Sequence, residues 1–136
     1  MATAGYSGTP LARKIGIKAG QRVSLLHRPA DWALPEVPQG SELVDHRYPS
    51  AEVTIVFART YGDLAAEAAT LVADLADSAM LWVAWPRRAA GHTSDVTENV
   101  LRELFLPMGL VDVKVAALGE DWSGLKFVRR RENRGR

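Results

Sequence analysis

The feature that most constrains the fold is a repeated pairing of a short, apolar, β-branched run with an amphipathic segment. Val53–Phe57 is almost entirely apolar, which is typical of a strand buried on both faces. Apolar residues then recur at helical spacing over residues 61 to about 77, after a capping pattern that begins at Thr60. A second buried run occupies residues 80–85. Strands that alternate with helices predict a mostly parallel sheet covered on both faces.

The first third of the chain predicts weaker elements. A short helix is expected from Pro10 to Gly16, because proline suits the first turn and glycine accepts the left-handed conformation that ends a helix. Strands are expected at residues 22–27 and 41–44, on either side of a proline-rich loop. Residues 1–8 are mostly small and are expected to be flexible.

A second long helix is predicted to begin at Ser94 or Asp95, since both are preferred N-cap residues, and to end before Gly109. Its expected buried face consists of apolar residues at helical spacing: Val96, Val100, Leu101, Leu104, Phe105 and Met108. The runs 111–118 and 125–129, joined by a short polar turn, predict an antiparallel hairpin.

These elements together predict an α/β fold. It is a small Rossmann-like, doubly wound and mostly parallel sheet of about five to six strands, with the C-terminal antiparallel hairpin at one edge. The 136 residues fit one domain, and 47% hydrophobic with 24% charged residues is an ordinary globular balance. The expected organisation is a flexible N-terminus at 1–8, a single domain at 9–130 and an arginine-rich tail at 131–136.

Composition excludes several classes of function. The chain has no cysteine, so disulfides, thiolate metal sites and cysteine nucleophiles are excluded. His27, His46 and His92 are too widely spaced to form a histidine ligand pair, so no metal site is expected. No apolar run approaches the ~20 residues of a membrane span, and the first residues do not resemble a signal peptide. The expected location is the cytoplasm, with no membrane partner.

The sequence carries no recognisable catalytic motif. It contains no P-loop, no dinucleotide-binding fingerprint and no Gly-x-Ser-x-Gly elbow. The acidic neighbours Glu120 and Asp121 are in a predicted turn, where such residues are common. We therefore assign no catalytic residue, and the sequence favours a binding or interaction module over an enzyme.

A hypothetical ligand site is located at the carboxyl ends of the parallel strands, where open α/β sheets bind their ligands. Arginine side chains suit carboxylate and phosphate, and the two helix N-termini nearby would add positive potential. The site would take a small anionic ligand, such as a nucleotide or an acidic metabolite. The favoured interpretation is that these are solvated loop residues. The candidate ligand-binding residues are His27, Arg28, Arg59, Thr60, Trp85, Arg87, Arg88 and Ser94.

Four stretches, considered together, resemble a known family. They are residues 5–12, 81–88, 109–115 and 122–127, of which the Trp-Pro-basic segment at 85–88 and the Trp-Ser-Gly-Leu segment at 122–125 are the most specific. As a set they resemble the bacterial, largely actinobacterial, family called domain of unknown function 3052, over about residues 5 to 133. The resemblance implies no role for any residue.

The predicted topology is also similar to the second half of class I S-adenosylmethionine-dependent methyltransferases, which makes a reduced transferase an alternative function. That likeness implies a glycine-rich turn after the first strand and an acidic residue ending the second. Here residues 27–31 contain no glycine, and Asp45 is the candidate acid. A glycine is needed there because a Cβ would obstruct the close approach of a cofactor to the backbone. S-adenosylmethionine and nucleotides are kept as alternative ligands, and no cofactor is predicted.

The C-terminus carries five arginines among its last eight residues: Arg129, Arg130, Arg131, Arg134 and Arg136. A solvated terminus is the favoured interpretation, because runs of charge usually are solvated. The alternatives are docking on an acidic partner and nonspecific contact with nucleic acid. The net charge of +1 and the shortage of neighbouring aromatic residues make nucleic acid the less expected partner. The oligomeric state is not predicted.

Overall fold

The computed structural model describes residues 9–135, so the predicted flexible N-terminus and Arg136 lie outside the described residues. Three short 3-10 turns supplement the regular elements, at Arg88–Ala90, Leu106–Met108 and Arg131–Asn133. The helices and strands, in chain order, are α1 (Leu11–Ile15), β1 (Arg22–Leu26), β2 (Glu42–Val44), β3 (Val53–Phe57), α2 (Tyr61–Asp74), β4 (Met80–Pro86), α3 (Glu98–Phe105), β5 (Leu110–Ala117) and β6 (Trp122–Arg129).

All six strands form one sheet in the order β2-β1-β3-β4-β6-β5. Strands β2, β1, β3 and β4 are mutually parallel, whereas β6 is antiparallel to both β4 and β5. The predicted α/β class and the mostly parallel sheet with antiparallel C-terminal strands are therefore confirmed. The last strand lies inside the sheet and β5 forms the outer edge. This order buries the apolar Leu125 and Phe127 of β6, while β5 leaves Val113 and Val115 about half exposed.

The core lies on both faces of the sheet, as the alternation of side chains requires. Helices α2 and α3 cover one face, while α1, the proline-rich loop and the turn between β5 and β6 cover the other. Trp82 and Trp85, three residues apart on β4, point to opposite faces, as predicted. Trp82 is fully buried, and its indole N–H donates to the Ile15 carbonyl at 2.9 Å.

Helix α2 begins as the sequence predicts and ends earlier. The Thr60 side chain accepts a hydrogen bond from the Asp63 N–H at 3.2 Å, which satisfies one of the free donors of the first turn. The helix stops at Asp74 rather than near residue 77, because Leu75 adopts an extended conformation. Its apolar residues Leu64, Ala68 and Leu71 are buried against the sheet.

The predicted start of α3 is wrong by about one turn. The helix begins at Glu98, and Thr97 is its N-cap, accepting from the Val100 N–H at 3.2 Å. Ser94 and Asp95 form hydrogen bonds to the segment at the start of α2 instead. The predicted burial of Met108 is also wrong, since this residue is 37% exposed and lies in the 3-10 turn that follows α3. No helix among residues 9–135 combines the length and apolar character needed to cross a bilayer.

Candidate functional site

The carboxyl ends of β1, β3 and β4 meet at one edge of the sheet, because the three strands are parallel neighbours. The turn between β5 and β6 reaches the same edge, since Trp122 at the start of β6 pairs with Pro86 at the end of β4. This edge, here called the rim, contains several open clefts, and neighbouring clefts share some of their lining residues.

The central cleft has a volume of about 180 Å³ and lies between the ends of β3 and β4 and the β5–β6 turn. Its walls combine two prolines, an aromatic ring and four ionisable side chains: Pro29, Pro86, Trp122, Asp31, Arg59, His92 and Asp121. The His92 Nε2 atom lies 2.9 Å from Asp121 Oδ1. The cleft therefore combines apolar walls with charges of both signs.

Arg59 has a distinctive environment in this cleft. Its guanidinium lies over the Trp122 ring, 5.1 Å from the ring centroid, in a cation–π contact. Trp122 is itself held by an edge-to-face contact with Phe57, at a centroid distance of 5.1 Å. Within residues 9–135, no carboxylate lies within 4.0 Å of the Arg59 guanidinium. Arg59 is thus a cation held beside an aromatic ring, with no acidic partner in the described part of the chain.

Thr60 and Ser94, both predicted as ligand-binding residues, support the backbone beside Arg59. The Ser94 hydroxyl donates to the Arg59 carbonyl at 2.9 Å and accepts from the Val96 N–H at 3.1 Å. Asp95 accepts from the Tyr61 N–H at 2.9 Å, so a carboxylate of the protein occupies the N-terminus of α2. These contacts make Thr60 and Ser94 positioning residues for the loop that carries Arg59.

The second cleft, of about 430 Å³, lies between the end of β3 and α2 and is lined by His27, Arg59, Asp63 and Glu67 among others. The His27 Nε2 atom is 3.1 Å from both carboxylate oxygens of Glu67. His27 adopts a φ of 60°, the left-handed conformation that non-glycine residues rarely take. The histidine here already faces a carboxylate, so this cleft is not purely cationic.

Arg28 is placed apart from the other predicted residues. Its Nε and Nη2 atoms donate to the two carboxylate oxygens of Asp45 at 2.7 and 3.3 Å, and its Nη1 donates to the Trp32 carbonyl at 2.7 Å. The hydrogen bond from Arg28 is the main cause that lowers the pKa of the Asp45 carboxyl below its ordinary value. This ion pair connects the segments that follow β1 and β2. Asp45, the acid that a methyltransferase-like site would use, is therefore already bound by Arg28.

The third cleft, of about 490 Å³, lies beyond the start of α3 and is lined by Trp85, Arg87, Arg88, Glu98 and Arg102 among others. Arg102 donates to Asp112 and to Glu98, each at 2.9 Å, and is therefore already neutralised. Its hydrogen bond is the main cause that lowers the pKa of Asp112. Trp85 is 9% exposed and belongs mainly to the core.

The eight predicted residues are therefore divided among separate places. His27 and Arg59 line one cleft, and Trp85, Arg87 and Arg88 line another. The other polar and aromatic residues of the central cleft were not predicted as site residues from the sequence: Asp31, His92, Asp121 and Trp122. Within residues 9–135, no group of three potential ligand residues is arranged to hold a metal ion.

The C-terminal arginines make specific contacts with the domain. Arg129 Nη2 donates to the carbonyls of Val72 and Leu75 at the end of α2, at 2.7 and 2.6 Å. Arg130 donates to the Leu110 carbonyl at 3.2 Å, and Arg134 donates to the Arg129 carbonyl at 2.9 Å. These three side chains satisfy carbonyls of the protein, a role that the solvated interpretation did not include.

The fold and the rim define a class of protein: a small α/β domain with a six-stranded mixed sheet and open clefts at the carboxyl edge of its parallel strands. The chain belongs to the family described as "Protein of unknown function (DUF3052)", whose model matches residues 33–131. The match begins later than the resemblance predicts, so the motif at 5–12 lies outside it. A search of curated proteins found no match.

Proposed function

We propose that this domain binds a small anionic ligand in the central cleft and that Arg59 is the residue that receives the anion. The observation that supports this most is the environment of the Arg59 guanidinium. It makes a cation–π contact with the Trp122 ring and has no carboxylate within 4.0 Å among residues 9–135. A guanidinium in a cation–π contact still has N–H donors available, from which a carboxylate or phosphate can accept two parallel hydrogen bonds.

The size of the cleft narrows the ligand class. A volume of about 180 Å³ is below the range of roughly 300–1,000 Å³ that is common for drug-sized ligands, although an adjoining cleft of about 350 Å³ shares Asp31, Asp121 and Trp122 with it. A compound with a few carbon atoms and one acidic group fits the central cleft itself, whereas a larger ligand such as a nucleotide would have to extend into the adjoining one. The proposed ligand is therefore a small carboxylate or phosphate compound. We also propose that the domain acts in the cytoplasm, as the sequence leads us to expect.

The alternatives have less support. A methyltransferase-like function would need Asp45, which is held by Arg28, and a glycine turn after β1, where residues 27–31 contain none. Nucleic acid would compete for the C-terminal arginines with carbonyls of the domain, which already accept hydrogen bonds from Arg129, Arg130 and Arg134.

Thermal unfolding with a ligand panel tests the proposal. The panel contains phosphate, acetate, succinate, adenosine monophosphate and S-adenosylmethionine, each at several concentrations at constant ionic strength. A ligand at 100 times its dissociation constant should stabilise the protein by about 2.7 kcal/mol. We expect stabilisation by at least one small acid, which Arg59→Gln abolishes. The matched control is Arg131→Gln, which removes an exposed arginine beyond the end of β6, at the edge of the sheet opposite the rim.

Failure of every small acid to raise the unfolding temperature would contradict the proposal. Equal stabilisation of wild type and Arg59→Gln would also contradict it, because the ligand would then bind elsewhere. Stabilisation by S-adenosylmethionine alone would favour the transferase alternative.

A further inference from the structure

We propose that the ligand of the central cleft is a zwitterion, carrying an ammonium group that Asp31 receives as well as the acidic group that Arg59 receives. This inference rests on the proposed function and specifies its ligand class. The geometry that points to it is a cation and an anion that line the same cleft of about 180 Å³, do not contact each other and have no ion-pair partner among residues 9–135.

The backbone that carries Asp31 is fixed on its C-terminal side. Trp32 is 6% exposed, and its indole N–H donates to the Leu118 carbonyl at 2.8 Å. The Trp32 N–H donates to the Pro29 carbonyl at 3.0 Å, which closes a turn around Asp31. The Trp32 carbonyl in turn accepts from Arg28 at 2.7 Å. The backbone of Asp31 is thereby anchored at the wall of the cleft, and its side chain is exposed.

The two carboxylates of the cleft differ in their partners. Asp121 faces His92, with 2.9 Å between the carboxylate oxygen and the imidazole nitrogen. Asp31 forms no hydrogen bond or ion pair within residues 9–135, and its carboxylate is more than 4.0 Å from the Arg59 guanidinium. Asp31 is therefore the acidic group of the cleft that is available to a cationic ligand group.

Separated opposite charges complement a molecule that carries both charges. A simple anion on Arg59 would leave the Asp31 carboxylate unpaired and would be repelled by it, whereas an ammonium group converts that repulsion into attraction. The prolines 29 and 86 and the Trp122 ring supply apolar surface for a short aliphatic link between the two groups. A small amino acid has this arrangement.

The test compares zwitterions with matched anions on the full chain. The probes are glycine, β-alanine and 4-aminobutyrate, which vary the distance between the charges, and the N-acetyl derivative of each, which keeps the carboxylate and removes the positive charge. Binding is measured by calorimetry and by thermal unfolding, for wild type, Asp31→Asn and Arg59→Gln. Circular dichroism establishes that each variant is folded.

We expect one of the three zwitterions to bind, and N-acetylation to weaken its binding to wild type by about tenfold or more. In Asp31→Asn the zwitterion and its N-acetyl derivative should bind with similar affinity, while Arg59→Gln should bind neither. If the N-acetyl derivative binds wild type as well as the zwitterion does, the inference is overturned and the proposed function stands. If neither series binds and no small anion stabilises the protein, both fail. The wild-type comparison decides between these outcomes even if a variant is unstable.

Discussion

Replacing Arg129 with methionine tests whether the C-terminal arginines belong to the folded domain. Arg129 lies at the end of β6 with its side chain 17% exposed, and its Nη2 donates to two carbonyls at the end of α2. The last carbonyls of a helix have no partner within the helix, and a positive charge there also favours the helix dipole. Methionine preserves much of the apolar stem and removes only the charged group.

The expected loss of stability follows from these contacts. A hydrogen bond that involves a charged group contributes about 1.5–3 kcal/mol, and the second bond from the same nitrogen adds less. The charge near the helix C-terminus adds roughly 0.3–1 kcal/mol. Asp77 is half exposed and 3.8 Å from Arg129 Nε, so this pair adds little. We expect Arg129→Met to lower the free energy of unfolding by about 2–4 kcal/mol in total.

Urea denaturation, followed by circular dichroism, measures this difference. The matched control is Arg131→Met, which removes an exposed arginine two residues further along and should change stability by less than about 0.5 kcal/mol. If Arg129→Met also remains within about 0.5 kcal/mol of wild type, the side chain is effectively solvated and our interpretation of the terminus is wrong. A protein truncated after Val128 would also lose the contacts of Arg129 with α2. Weak nucleic-acid binding by the truncated protein would therefore not show that the C-terminal residues alone bind nucleic acid.

Two further predictions concern stability. Gly124→Ala should destabilise the protein by about 1–3 kcal/mol in the same urea assay, because the new Cβ would be 2.6 Å from a methyl carbon of Leu118 and 3.0 Å from the Trp82 ring; wild-type stability would refute this. Arginine partners lower the pKa values of Asp45 and Asp112. The stability that these two carboxylates contribute is therefore fully present above the unfolded-state pKa of about 4, and it is lost as pH falls through their lower folded-state pKa values. Acid titration should therefore show a smaller loss of stability below pH ~4 for Asp112→Asn than for wild type, and parallel curves would contradict the assignment.

Local patterns in the sequence predicted much of the fold. The β-branched run of β3 has its predicted bounds, Thr60 caps α2, and Gly16 ends α1 with a φ of 100°. In each case the determining interactions lie within a few residues along the chain. The start of α3 was mispredicted because Ser94 and Asp95, although good N-cap residues, form hydrogen bonds with the segment that begins α2, about 35 residues away.

The candidate site was less predictable because its members come from distant segments. The parallel strands placed Arg59 at the rim, and general rules for open sheets anticipate that position. The partners of Arg28 and His27 depend on which side chains adjoin the loop after β1, and the sequence does not specify this. Trp122 reaches the rim only because β6 is inserted between β4 and β5. The Trp-Ser-Gly-Leu segment at 122–125 contributed to the family resemblance, and the sequence analysis did not assign it to the site.

The most direct measurement of the central claim uses the indole N–H resonances of the four tryptophans during titration with the best-stabilising small acid. Trp122 lies under Arg59 at the cleft, whereas Trp82 is fully buried and bonded to the Ile15 carbonyl. We expect the Trp122 resonance to move in a saturable way with added acid, the Trp82 resonance to remain fixed, and the response of Trp122 to disappear in Arg59→Gln. A stationary Trp122 resonance at concentrations that stabilise the protein would show that the acid binds elsewhere and would contradict the account.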